Sequence, residues 1–255
     1  MHISRQTRNR VRPLLPPPPL DTTRHALFLD VDGTLVGIQE RPELVLPEPD
    51  LSTLLTQLGA RLQGAIAILT GRTVLDADRI LERVVACVAG VHGHECRVDG
   101  VMVQEFSLPE SWLEARAALA HQLTVKELDV RVEDKGTALA LHYRHIPDQA
   151  SAIMQTVESV AAAHGLRALH GKFVSELMPQ GASKGAALVS LMKKAPFAGR
   201  IPVAIGDDVT DEDAFARASD LGGFGILAGG PRATAATFVL ADSTAVRRWL
   251  KEALV

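Results

Sequence analysis

The amino-acid sequence predicts an α/β protein: a doubly wound, Rossmann-like parallel-sheet core with a smaller α/β domain inserted into it. Three short apolar segments have the length of buried strands, residues 26–31, 65–69 and 201–205, and each is followed by polar residues. Between them, apolar residues recur at three- and four-residue spacing, as over residues 51–62, which is typical of helices. Strands that alternate with helices form parallel sheets, and ligands bind at the carboxyl ends of those strands.

Composition restricts the class of protein. The chain has 255 residues, of which 47% are hydrophobic and 22% charged, as in ordinary globular proteins. A net charge of −3 argues against nucleic-acid binding. No apolar run approaches the roughly 18 residues of a membrane span, and the amino terminus carries arginines where a secretion signal would be apolar. We expect a cytoplasmic protein that binds neither nucleic acid nor membrane, with Cys87 and Cys96 as reduced structural thiols.

The alternation of strands and helices is interrupted in the middle of the chain. Two strand-like segments, residues 130–133 and 137–143, flank a glycine turn and indicate a hairpin. A helical pattern over residues 149–164 and a strand-like stretch over 166–177 follow it. Near the amino terminus, arginines and the run Pro16–Pro19 predict a flexible tail. The predicted division is a flexible tail over residues 1–24, a catalytic core over 25–106 and 180–255, and a cap over 107–179.

The segment Asp30-Val31-Asp32-Gly33-Thr34 places two carboxylates at the end of the first predicted strand. A carboxylate can attack phosphorus and form an acyl phosphate, which divides one difficult displacement into two easier ones. A second carboxyl group can protonate the leaving alkoxide and then deprotonate water. Taken alone, an aspartate pair before glycine is also typical of an ordinary turn.

A second acidic segment, Gly206-Asp207-Asp208-Val209-Thr210-Asp211-Glu212-Asp213, directly follows the strand-like residues 201–205. Carboxylates this close together are costly without a cation, and hard oxygen ligands suit Mg²⁺. Asp207 and Asp208 are therefore candidate metal ligands. The three later acids have an alternative interpretation, in which they only favour a helix N-terminus that Thr210 caps.

Two further segments carry groups suited to phosphate. Thr70-Gly71-Arg72 follows the strand-like residues 66–69, and Ser183-Lys184-Gly185 begins an apolar helical pattern. A hydroxyl and an ammonium can both bind the oxygens of a transferring phosphoryl group. Lys184 in a first helical turn opposes the helix dipole, which indicates a functional role. The alternative is that Thr70 and Ser183 are caps and Lys184 is a solvated charge.

In this order, the four segments resemble the four motifs of the haloacid dehalogenase superfamily. The resemblance implies that Asp30 is the nucleophile and Asp32 the general acid/base, and that Thr70 and Lys184 bind the phosphate. It also implies Mg²⁺ as cofactor, with these ligands: Asp30, the backbone carbonyl of Asp32, Asp207, and Asp208 nearby or through water.

The last motif is similar to that of the trehalose-6-phosphate phosphatases. Three other stretches agree with that family: His92-Gly93, residues 133–144 and residues 171–176. In that family the inserted cap recognises the disaccharide. The resemblance therefore implies these substrate-binding residues: Gly71, Arg72, Glu133, Lys135, Arg144, Lys172 and Glu176.

The activity that this resemblance implies is the hydrolysis of trehalose 6-phosphate, the last step of trehalose biosynthesis, by a chain that we expect to be a monomer. One alternative is a phosphatase of the same superfamily that acts on sucrose phosphate or mannosyl-phosphoglycerate. The other is a non-catalytic module that binds a trehalose-phosphate synthase or senses the sugar phosphate. Intact Asp30, Asp32 and Lys184 argue against the module, because binding alone needs neither a nucleophile nor an acid/base.

Overall fold

The computed structural model describes residues 14–39, 41–103 and 107–255, and it confirms the predicted mixed α/β fold. The strands are β1 His25–Leu29, β2 Ile66–Leu69, β3 Cys87–Gly90, β4 Glu95–Val98, β5 Val101–Val103, β6 Arg131–Asp134, β7 Leu139–His142, β8 Arg167–Gly171, β9 Val174–Met178, β10 Ile201–Gly206, β11 Phe224–Ala228 and β12 Phe238–Leu240. The α-helices are α1 Pro49–Arg61, α2 Val74–Leu81, α3 Trp112–Val125, α4 Ala150–His164, α5 Lys184–Met192, α6 Glu212–Asp220 and α7 Ser243–Glu252.

The large sheet has eight strands in the order β12-β11-β10-β1-β2-β3-β4-β5. From β12 to β3 every pair is parallel, and β4 and β5 extend this edge through two antiparallel pairings, β3 with β4 and β4 with β5. All residues of β1 and β2 are buried, as expected for a parallel sheet covered on both faces. Because β1 lies between β10 and β2, the polar residues that follow these three strands meet at one edge of the sheet.

The second sheet is antiparallel, in the order β6-β7-β9-β8, and α3 and α4 pack together beside it. These elements have their own apolar core around Trp112, Leu141 and Val157, separate from the larger cluster around the eight-stranded sheet. They lie within the range 107–179 that the sequence assigned to the cap. The predicted hairpin is present as β6 and β7, with Val132 paired to Leu141.

The amino-terminal segment differs in part from the expected flexible tail. Leu20 is buried, and the Trp249 indole donates a hydrogen bond to the Pro18 carbonyl at 3.0 Å. Leu15 also forms a parallel bridge with Phe238. Apolar side chains therefore hold residues 14–24 against the core. Residues 1–13, which include Arg5, Arg8, Arg10 and Arg12 of the predicted tail, lie outside the described part of the chain.

Two smaller expectations concern the thiols and the membrane. Cys87 in β3 and Cys96 in β4 are both buried thiols, which agrees with the predicted structural role. In the part of the chain that the structure describes, no helix is both long and apolar enough to cross a membrane.

Candidate active site

The adjacent ends of β1 and β10 bring the first and last motifs together. The Asp30 backbone N–H donates to the Ile205 carbonyl at 2.9 Å, and the Asp30 side chain is buried. Gly33 turns the following loop with φ +73°, and a Cβ atom there would collide with the Asp207 carboxylate. Only glycine combines this backbone conformation with such a close approach.

Lys184 is directed into this group by the start of α5. The Ser183 hydroxyl caps the helix by accepting from the Ala186 N–H at 3.0 Å. The Lys184 ammonium lies 2.9 Å from Asp30 Oδ1 and 2.7 Å from Asp211 Oδ1. Burial would lower the pKa of Lys184, but the carboxylates of Asp211 and Asp30 outweigh this effect and raise it. Lys184 is therefore a charged, buried side chain and not a solvated one.

The acidic group contains a residue that the sequence did not select. Asp30, Asp207 and Asp211 each offer a carboxylate oxygen, and these oxygens lie within 4.8 Å of one another. Asp211 is buried, and its Oδ2 accepts the N–H groups of Asp207 and Asp208 at 3.1 Å each. Asp208, predicted to lie near the metal or to bind it through water, accepts the Val209 N–H and caps a short 3₁₀ turn. Among the described residues, Asp211 and not Asp208 completes the carboxylate group.

The electrostatics of this group favour a bound cation. Burial and the neighbouring carboxylates raise the pKa of Asp30 well above its ordinary value, against the opposing effect of Lys184. Burial, Asp211 and Asp208 raise the pKa of Asp207 to about 7. Three carboxylates facing one lysine thus have an excess of negative charge, and an all-oxygen donor set fits a hard divalent ion.

Asp32 and Arg72 form an ion pair that the sequence did not predict. The guanidinium donates from Nε to Asp32 Oδ2 at 2.6 Å and from Nη2 to Oδ1 at 2.8 Å, and its Nη1 pairs with Asp76. The Arg72 backbone N–H donates to Thr70 Oγ1 at 3.1 Å, so this hydroxyl can still donate its own proton. The buried Arg72 therefore orients the expected acid/base with a strong two-point contact.

A buried polar cluster joins the cap to the core. Lys135 donates to Glu176 Oε1 at 2.6 Å and to the Gly71 carbonyl at 2.8 Å. His92, in the core, lies 2.7 Å from Glu176 Oε2. Burial would raise the pKa of Glu176, but Lys135 and His92 lower it well below its usual range. The carboxylate is therefore ionised, and Glu176 lines the same cavity as Asp30 and Lys184.

The remaining predicted cap residues surround the same cavity. Glu133 lies 2.8 Å from His142 Nε2, and the Arg144 guanidinium lies 5.0 Å from the centre of the Phe173 ring. All predicted site residues line this one cavity: Asp30, Asp32, Thr70, Gly71, Arg72, Glu133, Lys135, Arg144, Lys172, Glu176, Lys184, Asp207 and Asp208.

Sequence reasoning gave no role to His92 and left Asp211 with an alternative interpretation. His92 follows the buried strand β3, so it shared the signal used elsewhere, a polar residue after an apolar strand. Asp211 had no such signal. Its inward direction depends on Gly206, where a Cβ atom would overlap the Asp211 side chain.

Comparison with known proteins agrees with this geometry. The trehalose-phosphatase family model matches residues 28–243. A probable trehalose-phosphate phosphatase from Sinorhizobium fredii is 38% identical over 213 residues, 83% of this chain and 80% of that protein. A trehalose-6-phosphate phosphatase from Escherichia coli is 35% identical over 240 residues, 94% of this chain and 90% of that protein.

Among solved structures, the C-terminal domain of a C. albicans trehalose-6-phosphate phosphatase superposes with a TM-score of 0.79. It is 22% identical, and the match covers 91% of this chain and 92% of that one, which shows a shared fold. The family model spans most of the chain, and the two relatives align over most of their own length. The chain therefore belongs to the trehalose-phosphatase family.

Proposed function

We propose that this chain is a phosphoric monoester hydrolase that converts trehalose 6-phosphate to trehalose and phosphate, the last step of trehalose biosynthesis. One observation carries the proposal: a single cavity is lined both by Asp30, Lys184 and Asp207 and by the polar cluster of Lys135 and Glu176. The first set suits a phosphoryl group, and the second suits sugar hydroxyls. A substrate without those hydroxyls would make no hydrogen bonds to the second set and would bind less well.

In the proposed first step, a carboxylate oxygen of Asp30 attacks phosphorus as the bond from phosphorus to the sugar oxygen breaks. Asp32 gives its proton to the departing alkoxide, which leaves as trehalose. Each oxygen of Asp32 accepts one N–H of Arg72, which leaves a second lone pair on each oxygen for that proton. In the second step Asp32 removes a proton from water, whose oxygen attacks the phosphorus of the aspartyl phosphate and releases phosphate.

Asp30, Asp207 and Asp211 are the side chains proposed to hold Mg²⁺. When bound, the ion offsets the negative charge of the carboxylates and of the phosphoryl oxygens. Lys184 and Thr70 are proposed to bind phosphoryl oxygens and to align the phosphorus with Asp30, which is most of what phosphoryl transfer asks of a protein.

The test is phosphate release from trehalose 6-phosphate with Mg²⁺, compared with chelated enzyme and with sucrose and glucose phosphates. We expect release with Mg²⁺, little release after chelation, and a clear preference for trehalose 6-phosphate. Greater activity on sucrose phosphate would assign a different substrate to the same chemistry.

Replacement of the nucleophile provides a second test. Asp30→Asn removes the attacking oxygen while keeping the size of the side chain, so we expect phosphate release to be abolished and the circular dichroism spectrum to be retained. Near-normal turnover by this variant would exclude Asp30 as nucleophile.

A further inference from the structure

The two-residue connection between β8 and β9, Lys172 and Phe173, has an unusual backbone. Phe173 has φ +64°, in the left-handed region that glycine or asparagine normally occupies in turns. A bulky side chain there costs on the order of 1 kcal/mol or more. An aromatic residue is thus present at a position where the backbone favours glycine, which indicates that the ring itself has a use.

Hydrogen bonds hold this connection against both parts of the molecule. The Phe173 carbonyl accepts the Tyr143 N–H at 3.0 Å, at the end of β7 in the cap. The neighbouring Lys172 N–H donates to Asp208 Oδ2 at 3.3 Å, next to the carboxylate group of the core. The backbone of this connection is therefore held beside Asp208.

The ring of Phe173 is partly open to the cavity. The residue is 37% exposed, and it is the only phenylalanine, tyrosine or tryptophan among the described residues that line the cavity. Arg144 stacks at 5.0 Å from the ring centre, a cation–π distance that fixes the orientation of both side chains. The structure thus presents a rigid aromatic surface beside the ionic groups.

We infer that Phe173 is a specificity-determining residue that stacks on the pyranose ring carrying the phosphate. This inference rests on the proposed function. A pyranose ring has C–H groups on its faces as well as polar hydroxyls at its edge. The electron-rich face of an aromatic ring attracts such C–H groups and shields them from water. Hydroxyl recognition by Glu176 and Lys135 and stacking by Phe173 would together select a sugar over a small phosphate ester.

The test compares kcat/KM for trehalose 6-phosphate with kcat/KM for glycerol 3-phosphate, a small ester without a ring, in three variants. Phe173→Leu removes the aromatic face but keeps a side chain in the strained conformation, and we expect the ratio of the two values to fall about tenfold. Phe173→Tyr keeps the face, so the ratio should stay within about twofold of that of the wild type. Phe173→Gly relieves the strain and should raise the melting temperature while the ratio still falls.

Leu113→Ala is the matched control, because Leu113 is an exposed apolar residue of the cap that does not line the cavity. Its ratio should equal that of the wild type. A wild-type ratio in Phe173→Leu or in Phe173→Gly would overturn the stacking role while leaving the proposed function intact. A wild-type chain that cleaves glycerol 3-phosphate but not trehalose 6-phosphate would overturn both.

Discussion

Asp211 shows how one side chain can organise several functional groups. One of its oxygens accepts from the Lys184 ammonium. The other accepts the backbone N–H groups of Asp207 and Asp208, which begin the acidic loop, residues 207–213. The same carboxylate is one of three that could hold a cation. It therefore fixes the position of Lys184 and of Asp207 at the same time.

Asp211→Asn should show this double role. The amide loses the charge that balances Lys184 and part of the cation site. A hydrogen bond to a charged group contributes about 1.5–3 kcal/mol, so we expect the rate of phosphate release to fall roughly 10- to 100-fold. We also expect a higher Mg²⁺ concentration at half-maximal activity. Steady-state rates over a Mg²⁺ titration measure both. Asp220→Asn, on an exposed surface pair, is the control, and an unchanged Mg²⁺ requirement in Asp211→Asn would contradict the assignment.

Glu176 provides a second prediction at the scale of single residues. Glu176→Ala removes the partner of the buried Lys135 and one proposed contact to sugar hydroxyls. We expect kcat/KM to fall at least about tenfold more for trehalose 6-phosphate than for p-nitrophenyl phosphate. The variant leaves the buried charge of Lys135 unpaired where the sugar is proposed to bind, and an unpaired buried charge is costly. Equal losses on the two substrates, measured as kcat/KM, would argue against sugar recognition by the cap.

At the scale of elements, the loop between β11 and β12 binds the backbone of the acidic loop through Arg232. Arg232 Nη2 donates to the Asp208 carbonyl at 2.8 Å and lies 3.4 Å from that of Asp207. The same guanidinium pairs with Glu212, the first residue of α6. One arginine thus connects a loop, a helix start and the backbone of the acidic motif.

Arg232→Met should disturb this support while leaving the cavity walls in place. We expect about fivefold weaker Mg²⁺ binding in calorimetry and a matching rise in the Mg²⁺ needed for activity, with the KM for substrate little changed. Arg232→Lys keeps the charge but not the forked geometry, so it should restore only part of the affinity. Arg217→Met, which affects only a surface pair with Asp220, controls for loss of charge. Wild-type Mg²⁺ affinity in Arg232→Met would show that the acidic loop keeps its conformation without Arg232.

The elements also show what the sequence could predict. Strands β1, β2 and β10 were predicted because a strand buried on both faces is a continuous apolar segment. Strand β4 was not predicted, because it contains Arg97, whose buried guanidinium donates to the Val85 carbonyl at 2.7 Å. In the sequence alone, a buried arginine whose N–H groups have hydrogen-bond partners cannot be distinguished from an arginine on the surface. The pairing of Arg72 with Asp32 was missed for the same reason.

The residues of the candidate site were likewise most predictable where they directly follow an apolar strand. Residues placed directly after strands, such as Asp30, Thr70 and Asp207, were predicted from sequence spacing because parallel strands share one carboxyl edge. Asp211 lies four residues after Asp207, on a 3₁₀ turn, where spacing does not determine which of three acids turns inward. That direction depends on packing against Gly206, which is a property of the folded chain.

At the scale of the whole molecule, buried histidines couple stability to pH. Burial lowers the pKa of His94 from its model-peptide value of 6.5 to about 4. The unfolded chain therefore takes up a proton at a higher pH than the folded chain, so stability is complete above pH 6.5 and falls as the pH drops towards 4. Burial lowers the pKa of His25 in the same direction.

As the pH falls from 7 towards 4, we expect His94 to lower the free energy of unfolding by roughly 3 kcal/mol at most. Asp30 and Asp207 act in the opposite direction, because their raised pKa values let the folded chain take up protons in the same range. Urea unfolding at a series of pH values measures this slope. His94→Gln cannot take up the proton, so relative to the wild type its free energy of unfolding should become larger as the pH falls, and this difference measures the contribution of His94. The same slope in both proteins would show that other groups cause the acid sensitivity.

The two separate apolar clusters have a further consequence. Because the cap packs around its own interior, we expect substitutions within that interior to leave the sheet that positions Asp30 and Asp207 in place. Substrate preference should therefore be able to change separately from the phosphorus chemistry. A graft of a relative's complete cap onto this core is the laboratory form of the same change.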